Sequence, residues 1–342
     1  MPITIHDIAK AANVSPSTVS RVLNESMSIS EKTKKKIRDV MEKLDYHPNS
    51  NARRLATGNS QAVGLVVDMD NQSAFSNYFF NNSVFGIEQT ARDFAYNLLI
   101  AHVDADDANE QTIGSLIYER KVDGLVLPPA IVRNRLVKDL EKDEFPFVIL
   151  GEPGTLENEC SWVDVNNAQG AEIAVNHLRK TGYSHMCYIG GTIGQVFVRN
   201  RVQGYRNALL ANGAKNEDMR FFECEDSAEA SRKIVANLEK TMMPDAFICN
   251  DNVIAFGVLQ ALKDRGISVP DEAGVIAFDN YPLAEYIEPS LTVIDVDTRQ
   301  LGAQAMMMLM QKIEGNKSIL HLQISPGLII RKSTRKGPEN NE

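Results

Sequence analysis

Four stretches of the 342-residue chain carry side chains able to do recognition chemistry. "NVSPSTVSRVLN", residues 13–24, sets four hydroxyls and one arginine within twelve positions. Serine and threonine bond phosphates or base edges, and an arginine can grip guanine O6 and N7 with both arms of its fork. "CNDN" (249–252) and "AFDNY" (277–281) close apolar runs with amides and carboxylates, groups that bond ligand hydroxyls. "DMDNQSAFSNYFFNN" (68–82) gathers Phe75, Tyr78, Phe79 and Phe80 in what reads as a loop. Rings so placed either stack on the apolar face of a sugar or base or plug the core beneath the loop, with equal weight.

Catalytic chemistry has no comparable signature. The chain holds no nucleophile elbow, P-loop or metal-ligand cluster, and the glycines of "IGGTIGQVFVRNR" (189–201) do not fall in a dinucleotide-binding spacing. Cys160, Cys187, Cys224 and Cys249 stand too far apart for a zinc or redox pair, and the six histidines are scattered. The expectation is therefore a non-enzyme with reduced thiols and no cofactor. No apolar run reaches the length of a membrane span and no charged-then-apolar leader opens the chain, so a cytoplasmic location without a membrane partner is expected.

Charge separates the recognition stretches. The first sixty residues hold ten basic against six acidic groups, whereas the whole chain has a net charge of −9. A basic end on an acidic body suits contact between that end alone and a polyanion. The run Lys34-Lys35-Lys36 adds little by itself, since such runs usually form a solvated helix face.

The elements that must position these groups follow from caps and periods. Thr4 and Asp7 have the spacing of a capping box over a helix reaching about Ala12, with Ile5, Ile8 and Ala9 inward. Asn13 suits a turn, Ser15 an N-cap and Pro16 the first helical position, with Val14 and Val19 placed as a hydrophobic staple. Ser30 caps a third helix to about Leu44, with Ile37, Val40, Met41 and Leu44 inward. Two short helices on a tight turn followed by a longer one make a helix-turn-helix, whose second helix enters the major groove. The plainer alternative is a small helical subdomain whose hydroxyls only cap.

Beyond Gln61 the pattern alternates strand and helix. "AVGLVVDM", "NLLIAHV", "VDGLVLP" and "FPFVILG" read as buried parallel strands, and the cycle restarts after Asp164 with "HMCYIGG", "DAFICN" and "AGVIAFD". The fold class expected is a small all-α headpiece plus an α/β body of two lobes, each a doubly wound parallel sheet with helices on both faces. Ligands sit beyond the carboxyl ends of such strands, so a cleft between the lobes would gather several loops. The helix "LGAQAMMMLMQKI" is expected to rejoin the first lobe, burying Met306, Met307 and Leu309 as core filler.

"TIHDIAKAANVSPSTVSRVLN" closely resembles the DNA-binding headpiece of the LacI/GalR family of transcriptional regulators, and "HPNSNARRLATGNS" resembles that family's hinge helix. The likeness extends to about Arg331 and includes a body of the type I periplasmic-binding-protein fold. It implies a headpiece over 1–46, a hinge helix and linker over 47–60, an effector-binding and dimerisation domain over 61–335, and a disordered tail over 336–342. Within the body it implies a first lobe of about 61–162 and 292–322 and a second of about 163–290 and 323–335, with crossings near Trp162, Pro289–Thr292 and His321–Ile324. Carried over residue by residue, Ser15, Pro16, Ser17 and Arg21 face the major groove, while Thr18, Ser20 and Asn24 lie near phosphates. Asn49 begins the hinge; Leu55 wedges into a minor-groove step with Ala52 and Ala56 packing close, and Arg53 and Arg54 add contacts. Read from the residues alone, the alternative for Leu55 is an ordinary apolar helix position. In the body the resemblance assigns Arg199, Asn250 and Asp279 to the effector and Tyr78, Phe80 and Phe197 to the pocket wall, with Arg201 and Asp251 serving structure. Where many sugar-responsive relatives carry an aspartate after the "FVIL" strand, this chain has Gly151 followed by Glu152.

The function implied is a homodimeric repressor of a carbohydrate-use operon, bound to operator DNA and released by a mono- or disaccharide, with a maltose-like sugar favoured by the aromatic group. Two alternatives stand beside it: a catabolite-control regulator whose corepressor is a phosphorylated carrier protein, and a purine-responsive repressor. "KSTRKGPENNE" lacks apolar heptads, so a dimer rather than a tetramer is expected.

Overall fold

The computed structural model describes residues 3–23, 29–46, 59–68, 78–103, 109–215 and 219–334. It divides into two units, 1–61 and 62–342.

The first unit is built on α1 (Ile5–Ala12), α2 (Pro16–Leu23) and α3 (Glu31–Lys43). Asp7 accepts from the Thr4 backbone N–H at 2.9 Å and from its hydroxyl at 2.7 Å, the reciprocal cap that the spacing predicts. Asn13 ends α1 in the left-handed region (φ 50°), where an asparagine costs less than most residues. That turn lets α2 fold back, so Ile8, Ala9, Ala12, Val19, Val22 and Ile37 close one small core.

The second unit holds two six-stranded sheets. The first sheet joins β1 (Ala62–Asp68), β2 (Asn97–Val103), β3 (Gly124–Leu127), β4 (Phe147–Leu150), β5 (Trp162–Val165) and β11 (His321–Ile324). Their order is β11-β5-β4-β3-β1-β2, and all neighbours are parallel. The second sheet joins β6 (Met186–Ile189), β7 (Arg220–Phe222), β8 (Ala246–Cys249), β9 (Gly274–Phe278), β10 (Thr292–Asp295) and β12 (Gly327–Ile329) in the order β12-β10-β9-β8-β6-β7. Only β12 runs antiparallel to its neighbour there. Central strands are buried along their whole length, as sheets covered on both faces require.

The chain passes between sheets later than the sequence suggests. β5 runs to Val165 within the first sheet, β10 (Thr292–Asp295) belongs to the second, and β11 stays in the first to Ile324. Each crossing thus follows the carboxyl end of a strand, after 165, 295 and 324, and residues 292–295 leave the first lobe to which sequence reading assigned them. Three short strands also escaped notice: β7, β11 and β12 are three or four residues long and lie at sheet edges or next to them, where apolar runs are not needed.

Six helices flank the sheets and matter below: α4 (Tyr78–Asp93), α5 (Asn109–Tyr118), α6 (Asn134–Lys142), α7 (Asn167–Lys180), α8 (Val196–Ala211) and α9 (Ala228–Ala236). They are joined by α10 (Asn252–Asp264) and, after a single short turn, α11 (Thr298–Ile313). Gly204 on α8 lets that helix lie directly on α7: a β-carbon there would stand 2.2 Å from the Ala168 carbonyl oxygen. On α11, Met306, Met308, Leu309 and Met310 are buried in the first-lobe core, but Met307 is 42 % exposed. A helical period of 3.6 places Met307 on the opposite face from Leu309, correcting the expectation that it is core.

Candidate functional site

Interlobe cleft and headpiece face

Arg201 organises the second-lobe floor of the cleft. It lies on the first turns of α8 and is 5 % exposed. Its Nε donates to Asn167 Oδ1 at 2.9 Å, its Nη1 donates to the Asn250 carbonyl at 2.7 Å, and its guanidinium lies 3.8 Å from the Phe278 ring centroid. Phe197, one turn earlier, sits beneath the same guanidinium at 5.1 Å and packs on the second-lobe core. A buried cation held by two amide acceptors and two aromatic faces is a structural member. This agrees with the expectation that Arg201 serves the fold.

Asn250 and Asp279 end β8 and β9 as read from the sequence. Asn250 is 3 % exposed, and its Oδ1 accepts from the Tyr188 hydroxyl at 2.9 Å. Asp279 takes a left-handed backbone (φ 68°), and its carbonyl and that of Phe278 are both held by the Asn252 side-chain amide. Its carboxylate is 8 % exposed and one oxygen, Oδ1, is buried without a hydrogen-bond partner. Burial raises the Asp279 pKa, while the Arg201 charge opposes the shift. Asp251 caps α10 by accepting from the Ile254 N–H at 2.8 Å, and burial pushes its carboxyl up to about 6.

The first lobe contributes from the ends of β4 and β5. Asp164 accepts from the backbone N–H groups of Glu152 (3.1 Å) and Val165 (2.7 Å) and from the Asn167 amide (3.3 Å). Glu152 reaches across to α8, where Asn200 donates to its Oε2 at 2.8 Å. Burial, and then the neighbouring Asp164 charge, raise the Glu152 pKa. Arg199 is exposed and lies beside Gly154, whose β-carbon would stand 3.7 Å from its Nη2. Only Asn200 separates it from Arg201, yet one arginine faces solvent at the cleft and the other is sealed beneath it.

The aromatic group is helical rather than looped. Tyr78, Phe79 and Phe80 form the first turn of α4, and Phe79 and Phe80 pack half-buried on the first-lobe core. Tyr78 meets the other lobe, with its ring centroid 5.6 Å from that of Tyr281. Phe75 lies outside the described residues.

On the headpiece, Ser15, Pro16, Ser17 and Arg21 are exposed on α2, while Thr18 and Ser20 are half-buried. Ser15 Oγ lies 2.8 Å from both Ser17 Oγ and Thr18 Oγ1, and it accepts from the Thr18 N–H at 3.2 Å. Three of the four hydroxyls therefore form one linked cap, leaving Ser20 and Arg21 farther along the helix. Asn24, Asn49, Ala52, Arg53, Arg54, Leu55 and Ala56 lie outside the described residues.

Sequence reading missed Asn167, Tyr188, Asn200 and Tyr281. Tyr188 sits inside an apolar strand and carries no local signal. Asn200 lies between the two arginines of "VRNR" and has no local signal of its own.

A helix-turn-helix unit joined to a two-lobed α/β body with polar loops from both lobes meeting at a cleft defines a ligand-responsive DNA-binding protein. Residues 4–49 match the bacterial regulatory proteins of the lacI family, and residues 175–334 match the periplasmic binding protein-like domain. The HTH-type transcriptional regulator MalR of Streptococcus pneumoniae is 33 % identical over 97 % of this chain and 100 % of its own length. The chain is also similar to the solved transcriptional regulator CelR–cellobiose complex, with a TM-score of 0.73, 26 % identity and coverage of 97 % of this chain and 99 % of that one. The lac repressor dimer bound to operator and anti-inducer shares the fold, with a TM-score of 0.82 at 23 % identity over 98 % and 99 % of the two chains. The chain belongs to the LacI family of bacterial transcriptional regulators.

Proposed function

We propose that this regulator represses a carbohydrate-use operon and leaves its operator when an unphosphorylated sugar occupies the interlobe cleft. The observation that carries this reading is the buried Asp279 carboxylate oxygen with no donor. An acceptor of that kind is costly until an O–H or N–H reaches it, and a sugar hydroxyl supplies one. Glu152, Asp164 and Asp251 surround the same cleft, so a neutral polyol suits the field better than an anion. Arg199 and Asn250 complete the set as hydroxyl-bonding groups and Tyr78 walls it, while Phe80 and Phe197 back the wall from the two lobe cores. The likeness to a cellobiose-bound regulator supports a disaccharide, and a maltose-like glucoside is the sugar we favour.

On the DNA side, Arg21 reads a base and Ser15, Pro16, Ser17, Thr18, Ser20 and Asn24 fit α2 to the groove and phosphates. Asn49, Ala52, Arg53, Leu55 and Ala56 are assigned to the hinge and minor groove. Exposed apolar side chains on the body, among them Phe85, Leu283 and Tyr286, suit a homodimer whose two headpieces meet a pseudo-palindromic site. The protein acts in the cytoplasm and catalyses no reaction; among the described residues no helix is long and apolar enough to cross a membrane.

The test is operator binding by fluorescence anisotropy, titrated with maltose, cellobiose, glucose and guanine. Release by one sugar with reciprocal weakening of sugar affinity by operator is expected, because binding linkage is symmetric. Tighter operator binding with guanine, and no response to any sugar, would transfer the site to a purine corepressor.

A further inference from the structure

A second cavity lies at the pole of the second lobe opposite the effector cleft. Its volume is about 280 Å³, and Arg179, Ser184, His185, Asn212, Arg220 and Pro244 line it. These residues stand at the amino ends of β6, β7 and β8 and at the carboxyl ends of α7 and α8. The cleft residues Asn250 and Asp279 follow the other ends of strands in the same sheet.

Two guanidinium groups share this cavity without a counter-ion. Among the described residues neither Arg179 nor Arg220 has a carboxylate within ion-pair distance, although the chain carries 45 acidic side chains. Elsewhere on the lobe, Arg232 is paired with Asp264 at 2.8 Å. Arg220 donates to the Met242 carbonyl. Arg179 Nε is buried and has no partner at all. The nearest acid, Asp245, is committed: its oxygens accept from the backbone N–H groups of Ser184 (2.8 Å) and His185 (2.7 Å). The His185 ring lies 3.8 Å from it. A buried guanidinium nitrogen without an acceptor, on an arginine that lines the same cavity as a second unpaired arginine, marks a place for an oxyanion.

We propose that this cavity binds the phosphate group of a small phosphorylated metabolite, forked between Arg179 and Arg220. Its volume exceeds that of a bare phosphate and falls at the low end of small-ligand pockets, which suits a compact phosphomonoester. The acidic cleft is matched to neutral hydroxyls and this cavity to an anion, so the two sites select different chemistry. α7 and α8 run the distance between them: Asn167 and Arg201 lie near their starts, Arg179 and Asn212 at their ends.

The experiment is isothermal titration of the full chain with inorganic phosphate and with ribose 5-phosphate, at matched ionic strength and slightly alkaline pH. Saturable binding with one site per chain is expected. Tighter binding of ribose 5-phosphate identifies an organic phosphate as the occupant, and equal affinities identify the free anion. Arg179→Gln should weaken binding roughly ten- to a hundredfold, the usual loss when one charged hydrogen-bond partner is removed. Arg179→Lys should also weaken it, because the fork is lost while the charge remains. Should Arg220→Gln fail to fold for want of its Met242 contact, the two Arg179 variants decide. Absence of saturable binding into the millimolar range overturns the proposal. So does binding that survives Arg179→Gln but is lost in Arg199→Gln, which would place the anion in the interlobe cleft.

Discussion

Asn200 of the second lobe donates its side-chain amide to Glu152 of the first at 2.8 Å. The bond joins the end of β4 to the start of α8, so it exists only while the lobes are close. Glu152 stands two positions beyond the last residue of β4. Its backbone N–H is held by Asp164, which aims the side chain at α8. A carboxylate at the end of the first-lobe sheet is thus bonded across the cleft to the second lobe.

Asn200→Ala should remove this link without disturbing either core, since the amide is only half-buried. One ordinary hydrogen bond contributes about 1 kcal/mol. The sugar concentration for half-release of operator should rise roughly fivefold. The melting temperature should stay within a degree or two. An unchanged release curve would show that the bond is not part of closure.

Arg199 and Arg201 should separate cleanly in a paired experiment. Arg199→Ala removes an exposed side chain, so denaturant stability should hold while sugar affinity falls at least tenfold. Arg201→Ala leaves the Asn167 and Asn250 acceptors buried and unpaired and strips the Phe278 face, a loss of about 2–4 kcal/mol at roughly 1–3 kcal/mol per unsatisfied buried acceptor. Urea melts of the two variants measure the difference, and similar midpoints would contradict the assignment of Arg201 to structure.

Asp251 makes the body's stability depend on pH in a defined direction. Its carboxyl titrates near 6 when folded and near its ordinary value of 3.8 when unfolded. Between those values the native state binds the extra proton, so stability falls as pH rises through the window and stays reduced above it. The shift corresponds to roughly 3 kcal/mol at most. Asp251→Asn keeps a good N-cap on α10 and removes the desolvated charge. It should therefore unfold at higher urea than the wild type at pH 8 and at about the same urea at pH 4. Asp251→Ala, lacking the cap, should lose about 1 kcal/mol of that gain.

What could be read from the sequence followed from where the signal was local. Caps are local, so Thr4, Asp7, Asn13 and Ser30 were legible to the residue. Asn250 and Asp279 stood out because a polar group closing an apolar strand marks the ligand end of a parallel sheet. Asn200, and the partners of the structural Arg201, required the fold, since a helix turns adjacent side chains to different partners: one faces Glu152 and the other Asn167. The aromatic group misled because its rings share a segment but not a face. Tyr78 reaches the other lobe, while Phe79 and Phe80 pack on the first-lobe core. The short strand β10 was placed in the wrong lobe because nothing in "TVID" distinguishes one sheet from the other.

The headpiece offers the last prediction. Ser15, Ser17 and Thr18 spend their hydroxyls on one another at the start of α2, which leaves Arg21 as the side chain on that helix best suited to a base. Arg21→Ala should cost about 1–3 kcal/mol of operator affinity and relax discrimination at a single base pair. Ser15→Ala should act differently: losing an N-cap destabilises α2 by about 1 kcal/mol, so all operator sequences weaken together. Anisotropy titrations against a set of single-base operator variants separate the two patterns. A uniform loss with Arg21→Ala would make that residue a phosphate contact and move base reading elsewhere on the headpiece.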